Sequence, residues 1–291
     1  MQRIEPGLRL VRAANASPMT EAGTNTWIVG EGAVAVIDPG PADPGHLSAI
    51  LAAVRGERVA AIVVTHAHLD HSALAPELAA ATGAPVAAFG PAQAGRSPLM
   101  VRLAEDGLAG GEGVDAAFVP DVRLSEGQTV SGPDWALSAI HTPGHFAGHL
   151  CLAWGDRLFT GDHVMGWAPS LVSPPDGDMG AYLAALERLS QRRWSRFFPG
   201  HGAPVDDPAA RLAALTAHRR GREAQVLAAL APGPLDLPAL VAAVYADTPA
   251  ALHPAAARNA LAHLIDLWER GQVTADPAPS PTARFALARS P

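Results

Sequence analysis

The feature that most constrains this chain is Thr65-His66-Ala67-His68-Leu69-Asp70-His71, which follows directly on the apolar run Val59–Val64. A short, β-branched run of that kind predicts a buried strand, so the cluster falls where a strand gives way to a loop. In extended chain alternate side chains point the same way, which aims His66 and His68 at one place. Asp70 and His71 fall at the start of the next helix and face a neighbouring point. Imidazole and carboxylate suit zinc, and also iron or manganese. The cluster alone cannot close two metal sites, and further ligands are expected downstream at strand ends. His145 in His141-Thr142-Pro143-Gly144-His145, Asp162 in Thr160-Gly161-Asp162 and His201 in Phe198-Pro199-Gly200-His201-Gly202 fit that expectation. The glycine before each of them lets the backbone turn a ligand inward.

Short β-branched runs alternate with alanine-rich helical stretches through the first two thirds of the chain. Strands are expected at Asn25–Val29, Ala33–Asp38, Val59–Thr65, Pro85–Phe89, Trp135–His141, His149–Trp154, Arg157–Gly161 and Arg196–Pro199. Helices are expected at Pro44–Val54, Leu74–Ala81 and Met179–Gln191. Strands feeding helices in this order predict an α/β sandwich over residues 1–205. Asp207–Ala231 then reads as one long helix, with Pro208 near its start where proline is tolerated, and it forms a connecting segment over residues 206–231. Pro232-Gly233-Pro234 breaks the chain. Beyond it, helices at Leu237–Tyr245 and His253–Arg270, a stop at Gly271, and strands at Gln272–Ala275 and Arg284–Leu287 describe a small winged-helix-like domain over residues 232–291.

Composition excludes several classes. Hydrophobic residues at 48% and charged ones at 17% describe a globular chain. The net charge of −7 argues against holding nucleic acid through the whole surface. The tail carries Arg258, Arg270, Arg284 and Arg289, but also Asp236, Asp247, Asp266, Glu269 and Asp276, so duplex DNA is not an expected partner. A single cysteine, Cys151, permits no intramolecular disulfide and no cysteine-based zinc site, and its apolar surroundings predict a core side chain. Met1–Ala14 alternates charged and aliphatic residues and lacks the apolar stretch of a signal peptide. No window approaches the ~20 apolar residues that span a bilayer. The expected address is the cytoplasm.

Taken in order, His66/His68/Asp70/His71, His145, Asp162 and His201 resemble the metallo-β-lactamase superfamily in its glyoxalase II-type, seven-ligand form. Ile37-Asp38-Pro39-Gly40 is similar to the family's early strand-end motif, whose aspartate supports the metal loop. The resemblance covers roughly residues 20–205. It implies an αββα sandwich with one metal on His66, His68 and His145, a second on Asp70, His71 and His201, and Asp162 bridging both. The tail resembles the β-lactamase-like protein 2 family. The residues that carry this are His218-Arg219-x-x-Arg222-Glu223-x-Gln225-Val226-Leu227, Val244-Tyr245 with Thr248-Pro249, and His253 with Asn259-Ala260-Leu261-x-His263-Leu264. That family joins the same core to a C-terminal winged helix and includes endoribonucleases and acyl-carrier thioesterases. Where it often has Gly-Gly after the metal loop, this chain has Ser72-Ala73-Leu74, a departure in the substrate pocket rather than in the ligands.

The expected cofactors are two divalent metal ions, zinc first, with iron and manganese also compatible. The expected reaction is hydrolysis of a thioester or related ester on a small-molecule or carrier-bound acyl substrate. Asp70 is expected to ligate, orient the nucleophile and shuttle its proton. No Gly-x-Ser-x-Gly nucleophile elbow is present. Alternatives are an endoribonuclease acting on single-stranded RNA, a non-catalytic or regulatory metal-binding module, and a mononuclear iron dioxygenase of the same fold. Among further polar residues, His163 adjoins Asp162 and is expected either to support the site or touch substrate, or to be structural. His141 and His149 are expected to be structural. His218 and Arg222, four apart on the long helix with Arg211 on nearly the same face, are expected either to hold structure or to hold an anionic substrate group. Two small basic clusters, Arg192/Arg193/Arg196 and Arg219/Arg220/Arg222, suit a compact anion better than a long nucleic-acid strand.

Overall fold

The apolar runs assemble into two mixed sheets in the computed structural model, which describes residues 1–111 and 113–288; Arg289 lies outside the described residues. The first sheet follows chain order through β1 (Gln2–Glu5), β2 (Leu8–Arg12), β3 (Asn25–Val29), β4 (Ala33–Ile37), β5 (Arg58–Val63), β6 (Val86–Ala88) and β7 (Val122–Arg123). Strands β1 to β4 are antiparallel neighbours, and β4 to β7 are parallel. Parallel neighbours need crossovers, and here α1 (Pro44–Ala53), α2 (Leu69–Ser72) with α3 (Ala75–Thr82), and α4 (Pro98–Glu105) supply them. In the second sheet β8 (Thr129–Ser131), β9 (Ala136–His141), β10 (Leu150–Trp154) and β11 (Arg157–Gly161) are antiparallel neighbours. Helix α5 (Met179–Ser190) crosses from β11 to its parallel partner β12 (Arg196–Pro199).

Side-chain alternation sorts the strands into layers. Trp27, Val29, Ala35 and Ile37 face Leu150, Leu152, Phe159 and Phe198 between the two sheets. The residues between them, Ile28, Val34 and Val36, turn outward onto α1 and α3, where they meet Ile50 and Leu78. On the opposite side Cys151, Ala153 and Leu158 pack on α5 and α6 (Pro208–Leu230) through Tyr182, Leu186, Leu212 and Leu215. The result is an αββα sandwich whose central strands are buried on both faces, which is why they read as near-continuous apolar runs.

The tail is a winged helix: β13 (Leu235–Asp236), α7 (Leu237–Val244), α8 (His253–Glu269), β14 (Val273–Asp276) and β15 (Arg284–Leu287), with β15 paired to both β13 and β14. Helices α5, α6 and α7 each begin on an aspartate, Asp178, Asp207 and Asp236, whose carboxylate accepts the N–H three residues on. Each such cap contributes about 1 kcal/mol. The tail core is not confined to the tail. It includes Leu99, Met100 and Leu103 of α4, and Val226 and Leu230 of α6.

Sequence reading missed α4 and the β1–β2 hairpin. The hairpin forms from the charged and aliphatic alternation at the N-terminus, where Leu8 and Leu10 are buried between the sheets, Val11 packs on the opposite face beside Ile28 and Ile50, and Arg9 is half-buried. Cys151 is fully buried, as expected, and burial pushes its thiol up to about 12.

Candidate metal centre

The loop that leaves β5 delivers His66 and His68, and the single-turn helix α2 delivers Asp70 and His71. His145 arrives from the turn between β9 and β10, Asp162 from the end of β11 and His201 from the end of β12. Nε2 of His145 lies 3.3 Å from His66 Nε2 and 3.1 Å from His68 Nδ1, which are themselves 2.9 Å apart. Nε2 of His201 lies 3.2 Å from His71 Nε2 and 3.1 Å from Asp70 Oδ2. The Asp162 carboxylate stands between these groups, with Oδ2 at 3.3 Å from His201 Nε2 and 3.9 Å from His145 Nε2, and Oδ1 at 3.5 Å from His71 Nε2. The structure thus brings together all seven residues that the sequence singled out.

Imidazole nitrogens at such separations need a proton or a cation between them. The atoms of His66, His68 and His145 lie within 4.8 Å of one another, as do those of Asp70, His71 and His201. Asp162 Oδ1 is buried without a hydrogen-bond partner, a position that costs free energy unless a cation meets it. The donor set therefore fits divalent metal.

Hydrogen bonds behind the rings fix which nitrogen faces inward. His71 Nδ1–H donates to Asp38 Oδ2 at 2.9 Å. Asp38 also accepts the Thr65 hydroxyl at 2.8 Å and the Thr65 N–H at 2.7 Å, and His66 Nδ1 lies 3.0 Å from that hydroxyl. His145 Nδ1–H donates to the Leu171 carbonyl at 2.6 Å. The 199–202 turn is pinned by Asn25, whose amide donates to the carbonyls of Pro199 at 3.0 Å and Gly202 at 2.8 Å. Asn25 had no mark in the sequence beyond a polar residue opening an apolar strand.

The two histidine groups differ in charge. Burial, then neighbouring imidazoles, depresses His66 and takes His68 down to about 3, and burial also lowers His145, so the environment of that triad favours neutral rings. Burial also works against a charged His71, yet the carboxylates of Asp70, Asp162 and Asp38 outweigh it and hold His71 well above its ordinary value. His201 is likewise raised to about 9, against burial, by Asp162 and Asp70. Burial opposes ionisation of Asp70, but His71 and His201 outweigh it and bring Asp70 down to about 2.

The other expected site residues lie elsewhere. His163 is fully buried with neither ring nitrogen partnered, its ring 4.8 Å from that of Tyr182, and burial takes it down to about 3. A ring with no exposed surface corrects the expectation of substrate contact and leaves His163 behind Asp162 as a packed neutral side chain. Arg222 donates to the Val244 carbonyl at 2.5 Å and to Gln225 at 2.8 Å, and its guanidinium lies 4.2 Å from the centre of the Tyr245 ring. It ties α6 to α7, which is the structural alternative for this residue rather than an anion grip. His218 is exposed on α6. The expected row of Arg211 with His218 and Arg222 is replaced by Arg211, Leu215 and Arg219, spaced four apart. Arg211 donates to the carbonyls of Met165 and Ala168 at 2.6 and 2.8 Å, and the buried Arg219 to that of Ser170. His141 stacks on Phe89, and His149 Nδ1 lies 2.9 Å from the Thr142 hydroxyl, in keeping with structural roles.

Comparison with known proteins places this geometry in a family. Residues 19–201 match the Metallo-beta-lactamase superfamily, and residues 237–278 match the Beta-lactamase associated winged helix domain. A Beta-lactamase-like protein 2 homolog from Drosophila melanogaster is 29% identical over 282 residues, 93% of this chain and 91% of that one. An Atrochrysone carboxyl ACP thioesterase from Aspergillus chevalieri is 30% identical over 236 residues, 79% of this chain and 68% of that one. A metallo-beta-lactamase family protein from Thermus thermophilus superposes with a TM-score of 0.77 at 24% identity, covering 98% of this chain and all of that one. A protein solved in a di-iron-bound form superposes with a TM-score of 0.51 at 28% identity, covering 72% of this chain and 96% of that one. With its seven clustered donors, its αββα core and a match over more than half its length, this chain belongs to the metallo-beta-lactamase superfamily, as a hydrolase that carries the associated winged helix domain.

Proposed function

We propose that this chain is a dinuclear metal hydrolase, zinc-dependent, that cleaves a thioester or related ester of a carrier-bound or small acyl substrate. The observation that carries this is the Asp162 carboxylate, set between His145 on one side and His71 and His201 on the other. One ion would be held by His66, His68 and His145, the second by Asp70, His71 and His201, with Asp162 shared. Ions bound there would supply Lewis acidity and lower the pKa of water to about 7. Asp70 retains 29% side-chain exposure, the route by which solvent reaches the cluster, and it is ionised at neutral pH. It is therefore placed to accept a hydrogen bond from the attacking water, orient it, and relay its proton to the departing thiolate or alkoxide. Asp162, His66, His71, His145 and His201 are buried, and the half-buried His68 is a neutral ring packed against His66 and His145; these six serve to bind.

Two large apolar side chains are exposed close to these donors. Leu69 lies between His68 and Asp70, and Trp167 packs on Gly202, next to His201. They offer an acyl group an apolar contact. The acyl-carrier thioesterase among the relatives supports the same substrate class. RNA is the less favoured substrate, because a sequence-tolerant strand needs a basic, aromatic-lined track and this chain is acidic with 5% aromatics. Duplex DNA is disfavoured by burial of the recognition helix, since residues 260–267 of α8 are inside.

The test is a side-by-side assay at matched zinc loading, with acyl-thioesters of a carrier arm against short single-stranded RNA. Thioester turnover that Asp70→Ala abolishes, with RNA left intact, is the expected result. RNA cleavage lost in Asp70→Ala, without thioester turnover, would give the nuclease instead.

A further inference from the structure

The loop between β11 and α5 carries three consecutive residues, 170–172, that each bond in a different direction. The Leu171 carbonyl accepts the His145 Nδ1–H at 2.6 Å, the bond that sets the orientation of that ring. The Ser170 hydroxyl donates to the carbonyls of Asp162 and His163 at 2.5 and 3.0 Å. The Ser170 carbonyl accepts from the Arg219 guanidinium on α6. The Val172 N–H donates to Asn259 Oδ1 on α8 at 3.1 Å, and Arg219 Nη1 donates to the same oxygen at 3.2 Å. Asn259 Nδ2 donates one turn back to the Ala255 carbonyl at 3.2 Å, which keeps the amide oxygen facing the loop.

This arrangement is costly unless the loop geometry matters. Arg219 is 2% exposed, its guanidinium 5.2 Å from the centre of the Tyr182 ring, and its Nε has no partner. A buried cation bonded to carbonyls gains less than it loses on leaving water, and an apolar side chain would fill the same space at lower cost. What the guanidinium and the Asn259 amide provide is direction, because they hold the backbone on both sides of Leu171.

We propose that Asn259 and Arg219 are positioning residues, through which the winged helix and α6 orient His145 and so tune the metal affinity of the His66, His68 and His145 group without touching it. This rests on the metal reading given above. Loss of an outer hydrogen bond to a metal-ligating histidine weakens metal binding by about 10–100-fold, and these residues act one bond further out. The lower end, about tenfold, is expected.

Full-length protein stripped of metal and titrated with Zn2+ against a chromophoric chelator reads affinity without any activity. Asn259→Leu keeps the volume and removes the acceptor, while Asn259→Asp keeps an acceptor oxygen and serves as rescue. Wild type should take up Zn2+ in both groups. Asn259→Leu should weaken one group about tenfold and leave the other unchanged, Asn259→Asp should stay within about twofold of wild type, and Arg219→Gln should repeat the one-group loss. In a His145→Ala background Asn259→Leu should add no further loss. Unchanged zinc affinities with only a lowered melting temperature, or equal weakening of both groups, would overturn the proposal, and so would failure of both Asn259→Leu and Arg219→Gln to fold. A wild-type chain that takes up no Zn2+ would instead remove the metal-centre reading underneath.

Discussion

Asp38 sits at φ 51°, in the left-handed region that aspartate and asparagine enter more readily than most residues. Its carboxylate accepts bonds from His71, the Thr65 hydroxyl and the Thr65 N–H, so it ties together the start and the end of the metal loop. Asp38→Asn tolerates the same backbone but replaces one acceptor oxygen with an NH2 that faces a donor. Metal affinity, read by chelator competition, should fall about 10–100-fold, chiefly in the group that contains His71. Affinity equal to wild type would show that Asp38 is not needed to orient that ring. At this scale the sequence was legible where residue type is itself the chemistry, as for the seven donors and, by resemblance, Asp38. It left Asn25 unmarked, noted Asn259 only as part of a family resemblance, and grouped Arg219 with basic residues suited to an anion, whereas Arg219 is buried on Ser170 and Asn259. The partners of these three are mostly backbone carbonyls and N–H groups. Nothing in a polar residue type says which carbonyl or N–H it will meet until the fold has placed both.

At the scale of elements, strand ends decide where the donors go, and the glycines beside them decide how closely they approach. Gly161 takes φ 46° to turn Asp162 off the end of β11. Gly200 ends β12 in such close quarters that a Cβ there would lie 2.5 Å from Asp162 Oδ1 and 2.6 Å from His71 Cε1. Gly200→Ala therefore pushes on two donors at once. Overpacking of this kind costs about 1–3 kcal/mol, which a folded domain survives, while donors displaced by some tenths of an ångström no longer share a cation. The expected variant folds, melts somewhat lower and holds fewer than two zinc ions; zinc content equal to wild type would contradict it. Long apolar runs made β3, β4, β5, β10 and β11 legible, since both faces of each are buried. Helix α4 was not, because Leu99, Met100 and Leu103 find their cover in the tail, far along the sequence. The β1–β2 hairpin went unread because alternating charge looks the same on an exposed arm and on a half-buried edge strand.

For the whole molecule, the family matches over residues 19–201 and 237–278 suggest two separable units, but the packing joins them. The apolar cluster around Leu240, Leu261, Leu264 and Phe285 also contains Leu99, Met100 and Leu103 from the sandwich, and Val226 and Leu230 from the end of α6. Burying a side chain of that size contributes roughly 1.5–3 kcal/mol, so uncovering those five forfeits about 8–15 kcal/mol as an upper estimate. That is comparable to the whole stability of an ordinary domain, about 5–15 kcal/mol. Arg258 of α8 also donates to the Ala109 and Gly110 carbonyls at 2.9 and 3.2 Å, so polar bonds across the boundary would go as well. Removal of residues 232–291 should therefore leave no well-behaved sandwich domain. The shortened chain should aggregate or bind a hydrophobic dye, with the end of α6 frayed in circular dichroism, since an apolar face of that extent does not stay single in water. Were the shortened chain instead monomeric, with the melting temperature and zinc content of the full one, the winged helix would be an appendage rather than part of the fold that holds the site.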